Sequence, residues 1–231
     1  MTASPVHVFL PCRGGSQRVP HKNTRTFAGI PGGLLELKLR QLSEAAEVAS
    51  VTVNTDDPEV MRVAESMRGL FKVPLHVSER PAALAAAGTL DDFVAYVPTI
   101  MPEGIIYWTH VTSPFFEAKE IDNSIKMYRS EVENGDYDSL MGVSRIQTFL
   151  WDNKGECISH NRAAVKWPQT QDLDPIFEIN SSVFMISKAE MANRCDRIGD
   201  KPFLFSVEKL EAFDVDWPED FKIAELIYKS R

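Results

Sequence analysis

Apolar and polar positions along the chain alternate between two periods, one of short buried runs and one of helical stripes. Val6 to Pro11 is a short apolar run that reads as a strand buried on both faces. The polar, glycine-containing stretch Cys12 to Asn23 follows it, and Leu35, Leu39, Leu42 and Ala46 then recur at helical spacing in a helix expected over Leu34 to Val48. The same order returns with a β-branched strand at Val51 to Asn54, a helix capped at Asp57-Pro58 and running through Met67, and a short strand at Leu75 to Val77. After an alanine-rich segment from Pro81 to Gly88, the pattern predicts a helix over Asp91 to Val97 and a strand over Ile105 to Trp108. A loop from Thr109 to Phe116, a helix over Glu117 to Ser130 and a strand over Ser139 to Ser144 come next.

The rhythm breaks at Arg145 to Pro175, where Trp151, Asp152-Asn153-Lys154-Gly155, Trp167 and Pro168 read as strands and turns of an excursion. Order resumes with a strand at Ser182 to Ile186, a helix near Lys188 to Asn193, a strand near Phe203 to Val207 and a last helix over Pro218 to Tyr228. Strands alternating with helices predict a three-layer α/β fold around a mostly parallel sheet. At 231 residues, residues 1–231 are expected to form one domain that carries 145–175 as its excursion.

Composition narrows the function classes. The chain is 44% hydrophobic and 25% charged, which suits a globular core rather than a disordered or fibrous chain. Lys and Arg total 25 against 33 Asp and Glu, and the net charge of -8 repels nucleic acid and anionic membranes. The opening Met-Thr-Ala-Ser-Pro lacks a basic segment followed by a long apolar one, and no window approaches eighteen apolar residues, so neither export nor membrane spanning is expected. Cys12, Cys157 and Cys195 are odd in number and far apart, so a reducing cytoplasm is the expected compartment. Cys12 reads as a small core residue, although Arg13 beside it leaves a lowered thiol pKa open.

Open parallel sheets bind ligands beyond the carboxyl ends of their strands, so the loops that follow strands carry the candidate chemistry. Arg13-Gly14-Gly15-Ser16-Gln17-Arg18 and Lys22-Asn23 follow the first strand. Two glycines can bring backbone N–H groups to phosphates while Arg13, Arg18 and Lys22 supply cationic donors, or the segment is an ordinary solvated turn. It matches neither the Walker A spacing nor the dinucleotide glycine pattern. Asp214-Val215-Asp216 puts two carboxylates on one side of an extended segment, where they can hold Mg²⁺ with phosphate oxygens or cap the last helix. Thr109-His110-Val111-Thr112-Ser113-Pro114 can contact a sugar or base, or merely open a helix. Asp57 reads as a cap, and Asp56 stays open.

Together these segments resemble the cytidylyltransferases that activate acidic sugars, the CMP-sialic acid synthetase family and its relatives for KDO, legionaminic and pseudaminic acids. Phe9-Leu10-Pro11-Cys12-Arg13-Gly14-Gly15-Ser16-Gln17-Arg18-Val19-Pro20-His21-Lys22-Asn23 resembles that family's opening block. Glu79-Arg80-Pro81, Thr112-Ser113-Pro114, Gln171-Asp172-Leu173, Glu178-x-Asn180 and Asp214-x-Asp216-x-Pro218-Glu219-Asp220-Phe221 fall where the family keeps its later blocks. The resemblance implies a Rossmann-like nucleotide-diphospho-sugar transferase fold and a homodimer in which the protruding segment reaches over the neighbouring site. It implies CTP phosphates on Arg13, Gly14, Gly15, Ser16 and Lys22, the nucleoside by Asn23 and Arg80, and Mg²⁺ on Asp214 and Asp216. Arg13, Lys22 and Asp216 would then be catalytic, and His110, Gln169 and Gln171 would meet a small acidic acceptor.

The departures concern that acceptor. His110 stands where the family commonly has Gln, Gln169 where an Arg often serves the sugar carboxylate, Gln17 where Lys is usual, and Trp217 in place of Thr. The stretch Ala82 to Thr89 lacks the Asp and Ser that often follow this block. Arg145 either replaces a missing cation or faces solvent. A nonulosonic acid, an eight-carbon ulosonic acid and a non-sugar acid such as a phosphonate remain as acceptors, beside a transferase preferring another nucleotide and a nucleotide-binding homologue without turnover.

Overall fold

The computed structural model describes residues 3–86 and 89–231. It contains a seven-stranded sheet in the order β3-β2-β1-β4-β6-β5-β7. The strands are β1 (Val6–Pro11), β2 (Ser50–Thr55), β3 (Leu75–Glu79), β4 (Ile105–Trp108), β5 (Ser139–Ile146), β6 (Ile176–Ser187) and β7 (Pro202–Ser206). Strand β6 runs antiparallel to both β4 and β5, and the other pairings are parallel. The mostly parallel, Rossmann-like α/β architecture expected from the pattern is therefore present.

Central strands are apolar on both faces because helices cover both. Val6, Val8 and Leu10 of β1 point into the larger core cluster, and Phe9 between them points into the smaller one. The larger cluster takes its helical residues from α1 (Gly33–Glu44), α2 (Pro58–Ser66), α5 (Ala118–Tyr128) and α7 (Pro218–Lys229). The smaller one is closed by α4 (Leu90–Ile100) and α6 (Lys188–Arg194), which bring Phe93, Val94, Val97 and Met191 onto Phe9, Trp108 and Phe184. Each such side chain, fully buried, stabilises the fold by about 1.5–3 kcal/mol.

Most expected elements appear, with shifts that have local causes. Helix α1 stops at Glu44 rather than Val48, since Ala45 turns extended at φ -68° and ψ 127° and the following amides bond to the Asp122 carboxylate. Helix α2 starts as expected, with Asp57 accepting from Glu59 N at 2.9 Å and Pro58 in its first turn. Strand β6 begins six residues before the expected Ser182, because the stretch from Ile176, its apolar pattern broken by Glu178 and Asn180, pairs with β5 through the register Ile146↔Ile176. The alanine-rich segment holds a short helix, α3 (Ala82–Ala86), which the pattern did not predict; Ala87 and Gly88 lie outside the described residues. The excursion between β5 and β6 contains one isolated bridge, Trp151↔Cys157, and a 3-10 turn at Thr170–Asp172. No helix among the described residues is long and apolar enough to cross a membrane.

Candidate active site

Strands β1, β2 and β4 lie side by side and parallel, so the loops after them open at one edge of the sheet. The β1 loop is tied down from both ends. Thr55 Oγ1 donates to Cys12 O at 2.6 Å, Gly14 N donates to Asp56 Oδ1 at 2.8 Å, and Asn23 Nδ2 donates to Arg13 O at 3.2 Å. Gly15 sits at φ +70°, the left-handed region that a residue with a Cβ adopts only at a cost. Gly33, at φ +65°, lets α1 approach the far end of the loop so closely that an added Cβ would stand 2.3 Å from Arg25 O; Leu35 N then donates to Asn23 O at 2.8 Å. Asp56, left open by the pattern, thus serves as an anchor of the glycine turn.

Across from this loop lies the segment before α7. Val215 is fully buried and its N donates to Thr112 O at 2.8 Å, which fastens the segment to the loop after β4. Alternation then turns Asp214 and Asp216 into one cavity with Arg13, Gly14, Ser16 and Lys22. Lys22 Nζ donates to Val215 O at 2.9 Å and to Asp216 Oδ1 at 3.2 Å. Arg18 reaches the same Oδ1 at 3.2 Å while stacked 4.8 Å over the Trp217 ring, so Trp217 supports a cation beside the carboxylate pair.

The two carboxylates differ. Burial raises the Asp214 carboxyl from its ordinary value against hydrogen bonds from the Thr112 and Ser181 side chains, and among the described residues its buried Oδ1 has no partner. Asp216 is open to solvent, with a side chain 43% exposed. Among the described residues no cluster of three or more His, Cys, Asp or Glu side chains surrounds a metal position. Two carboxylates, one carrying an orphaned oxygen, instead fit a hard divalent cation that keeps waters and accepts phosphate oxygens.

A second cavity, of about 480 Å³, adjoins the first and shares Pro11, Arg13 and His110 with it. Arg80 lies buried in it, its Nε donating to Asn54 Oδ1 at 3.0 Å and its guanidinium 4.0 Å from the Phe93 ring centre. His110 has both ring nitrogens engaged. Trp108 Nε1 can only donate, so His110 Nε2 accepts at 2.8 Å and Nδ1 carries the proton toward Ser181 O at 3.2 Å. Burial first, and the Arg197 charge next, push its pKa down to about 3, so the ring is neutral. It shapes the cavity wall and has no free nitrogen for an acceptor.

Gln169 and Gln171 are not brought to either cavity. They sit exposed on the excursion, where Gln171 Nε2 bonds to Gln169 Oε1 and Gln147 Nε2 donates to Gln171 O at 3.1 Å. Arg145 is exposed and lines a separate cleft with Glu178 and Lys209. Cys12 is buried and its thiol is pushed up to about 12 by that burial, which fits the core role and not a reactive thiolate. Arg197, which no local motif announces, enters the second cavity from the loop after α6.

The chain has relatives among known proteins. It is 24% identical over 225 residues to N-acylneuraminate cytidylyltransferase A of Danio rerio, covering 95% of this chain and 50% of that protein, so it spans about half that relative's length. It is 25% identical over 236 residues to CMP-N,N'-diacetyllegionaminic acid synthase of Legionella pneumophila, covering 94% of this chain and 93% of that one. The solved structure of CMP:2-keto-3-deoxy-manno-octonic acid synthetase complexed with CTP superposes with a TM-score of 0.67 at 13% identity, over 99% of this chain and 100% of that chain. The cytidylyltransferase family itself matches residues 7–230, from β1 with its glycine loop to the end of the helix behind the carboxylate pair. With loop, cation and carboxylates meeting in one cleft and the match running through all of them, the chain belongs to the cytidylyltransferase family.

Proposed function

We propose that the chain transfers CMP from CTP to a small acidic acceptor with the help of Mg²⁺ and releases pyrophosphate. The observation that carries this reading is the cleft in which Arg13, Gly14, Ser16 and Lys22 face Asp214 and Asp216, with Asp214 Oδ1 buried and, among the described residues, unpaired. Donors for phosphate oxygens and a carboxylate pair for a cation are what a nucleoside triphosphate needs.

In the proposed reaction an acceptor hydroxyl oxygen bonds to the α-phosphorus of CTP in line and gives its proton to water, and the bond from that phosphorus to the bridging oxygen of pyrophosphate breaks. Catalysis of such transfers is mostly positioning and neutralisation of charge. Arg13 and Lys22 serve phosphate oxygens, and the backbone amides of the glycine turn fix their direction. Asn23 and Arg80 lie on the nucleoside side, where Arg80 is held in place by Asn54 and Phe93. When bound at Asp214 and Asp216, Mg²⁺ supplies positive charge to the same oxygens. Asp214 and Asp216 would hold that ion, and Lys22 and Arg18, which contact Asp216 Oδ1, stand beside it as further cations for phosphate oxygens.

For the acceptor, the relatives named above support an acidic sugar of the nonulosonic or ulosonic class, and a non-sugar acid such as a phosphonate is the second reading. Two observations favour keeping it: His110 offers no free nitrogen, and Gln169 and Gln171 stand away from their own subunit's cleft. In a homodimer the excursion would bring these glutamines to the neighbouring site, and we take residues 145–175 as that dimerising segment of a single domain. The test is pyrophosphate release from CTP and Mg²⁺ with N-acetylneuraminate, legionaminate, pseudaminate, KDO and phosphonoacetate offered singly, and with the other three nucleotides in place of CTP. One acceptor giving turnover with CTP alone supports the reading. Turnover with another nucleotide, or CTP binding without release in any well, refutes it.

A further inference from the structure

The cavity beside the phosphate cleft is lined by Arg13, Arg80 and Arg197 and by no carboxylate, in a chain whose net charge is -8. Arg13 is shared with the phosphate cleft and Arg80 is spoken for by Asn54, but Arg197 is different. Among the described residues its guanidinium enters no ion pair and no hydrogen bond, although it is half-buried and burial lowers its pKa. Its nearest support is aromatic: the guanidinium carbon lies 3.9 Å from the Phe184 ring centre and 5.0 Å from that of Trp108.

The fold builds this position deliberately. Trp108 and Phe184 are register partners on β4 and β6, so their side chains stand together at the carboxyl end of β4. Helix α6 ends at Cys195, which adopts φ 51° and ψ 36°, and that left-handed turn carries Arg197 back over the sheet. A guanidinium held over aromatic rings without a polar partner keeps its N–H groups for a planar bidentate partner. The phosphates have their own donors in Lys22 and the glycine turn, and Arg197 does not line that cleft.

We propose that Arg197 determines acceptor specificity by binding the acceptor's carboxylate at the Trp108 and His110 end of the cavity, where it meets the phosphate cleft, while Arg80 over Phe93 keeps the other end for the nucleoside. The proposal rests on the CMP-transfer reading above and adds the residue that selects an acid. It also accounts for the neutral His110, since a cationic ring beside Arg197 would repel it and lose the Trp108 hydrogen bond.

The test uses the full chain as the Arg197→Met and Arg197→Lys variants, with dissociation constants for CTP, N-acetylneuraminate, KDO and the methyl ester of N-acetylneuraminate measured by calorimetry. The methyl ester keeps the sugar and removes the anion. Expected is a loss of about 30-fold or more in affinity for the bound acid in Arg197→Met, as truncating one side of a desolvated charge pair gives. Arg197→Lys, which keeps charge without the fork and guards against misfolding of the first variant, should fall between. CTP affinity should stay within about twofold, and the ester should bind the native chain no better than the acid binds Arg197→Met. Equal loss of CTP affinity, unchanged acid affinity in both variants, or no acid bound by the native chain overturns the proposal. Failure of the native chain to bind CTP would overturn the transfer reading itself, whatever the acids do.

Discussion

Asp216 accepts from Lys22 and Arg18 without being buried, so its removal should cost chemistry and little stability. Asp216→Asn is expected to lower Mg²⁺-dependent pyrophosphate release by about 100-fold or more, on the scale of losing an electrostatic group at a transferring phosphate. Its melting temperature should stay within about 2 °C, the shift of less than 1 kcal/mol in a chain this long; a large fall in melting with turnover kept would contradict the assignment. Lys38 is the opposite kind of residue. It is fully buried in α1, donates to Phe116 O at 2.7 Å, and burial pushes its pKa down to about 7 from 10.5. Between these values the unfolded chain holds a proton that the native chain lacks, so stability rises with pH by about 1.4 kcal/mol per unit at most, and below pH 7 the cost of burying the charge is fully present. Melting curves from pH 7 to 9 should therefore climb more steeply in the native chain than in Lys38→Met, and parallel curves would show that Lys38 does not titrate there. No periodicity announces such a residue: a lysine in an amphipathic stripe counts as polar, and only the packed structure shows its stem and amine enclosed.

The exit of β2 shows how one element sorts neighbouring residues into different tasks. Asp57 caps α2, whereas Asp56 beside it holds Gly14 N at 2.8 Å and thereby the glycine turn. Asp57→Ala should lower stability by about 1 kcal/mol, seen as a melting shift of about 2–4 °C, with the KM for CTP nearly unchanged. Asp56→Ala should raise the KM for CTP by about five- to tenfold, one lost hydrogen bond's worth, with little effect on melting. If both variants moved the same quantity, the division of roles would fail. The Asp57-Pro58 cap was legible in the sequence because capping is chemistry between near neighbours, and β1 and β4 were legible to their last residues because both are apolar throughout. The first half of β6 was not, since Glu178 and Asn180 interrupt its apolar pattern and only pairing with β5 makes it a strand. The cleft was readable as three separate loops; Arg197 was not, because its place depends on a left-handed turn at Cys195 and on aromatic rings that β4 and β6 supply from elsewhere in the chain.

At the scale of the molecule, the excursion leaves apolar surface that its own subunit does not cover. Trp167 is 67% exposed and Trp151 48%, and Ile176, Phe177 and Ile179 on the adjoining half of β6 are exposed as well. Exposed apolar side chains on this scale suit a partner with the same surface, as in a two-fold dimer. Light scattering should then report twice the 26.0 kDa chain mass, and Ile179→Lys should return the single mass while CTP still raises the melting temperature. Such a dimer would also have a consequence for the site. If Gln169 and Gln171 act on the neighbouring cleft, a subunit with Lys22→Met has a dead cleft and a sound excursion, and a subunit with both glutamines changed to Ala has the reverse. Each alone should be nearly inactive. Mixed and allowed to exchange, half of the dimers pair one of each, and one of their two clefts is complete, so about a quarter of native activity should return. Recovery requires that the excursion serve its neighbour; if the glutamines served their own subunit, every cleft in the mixture would lack one component and no activity would come back.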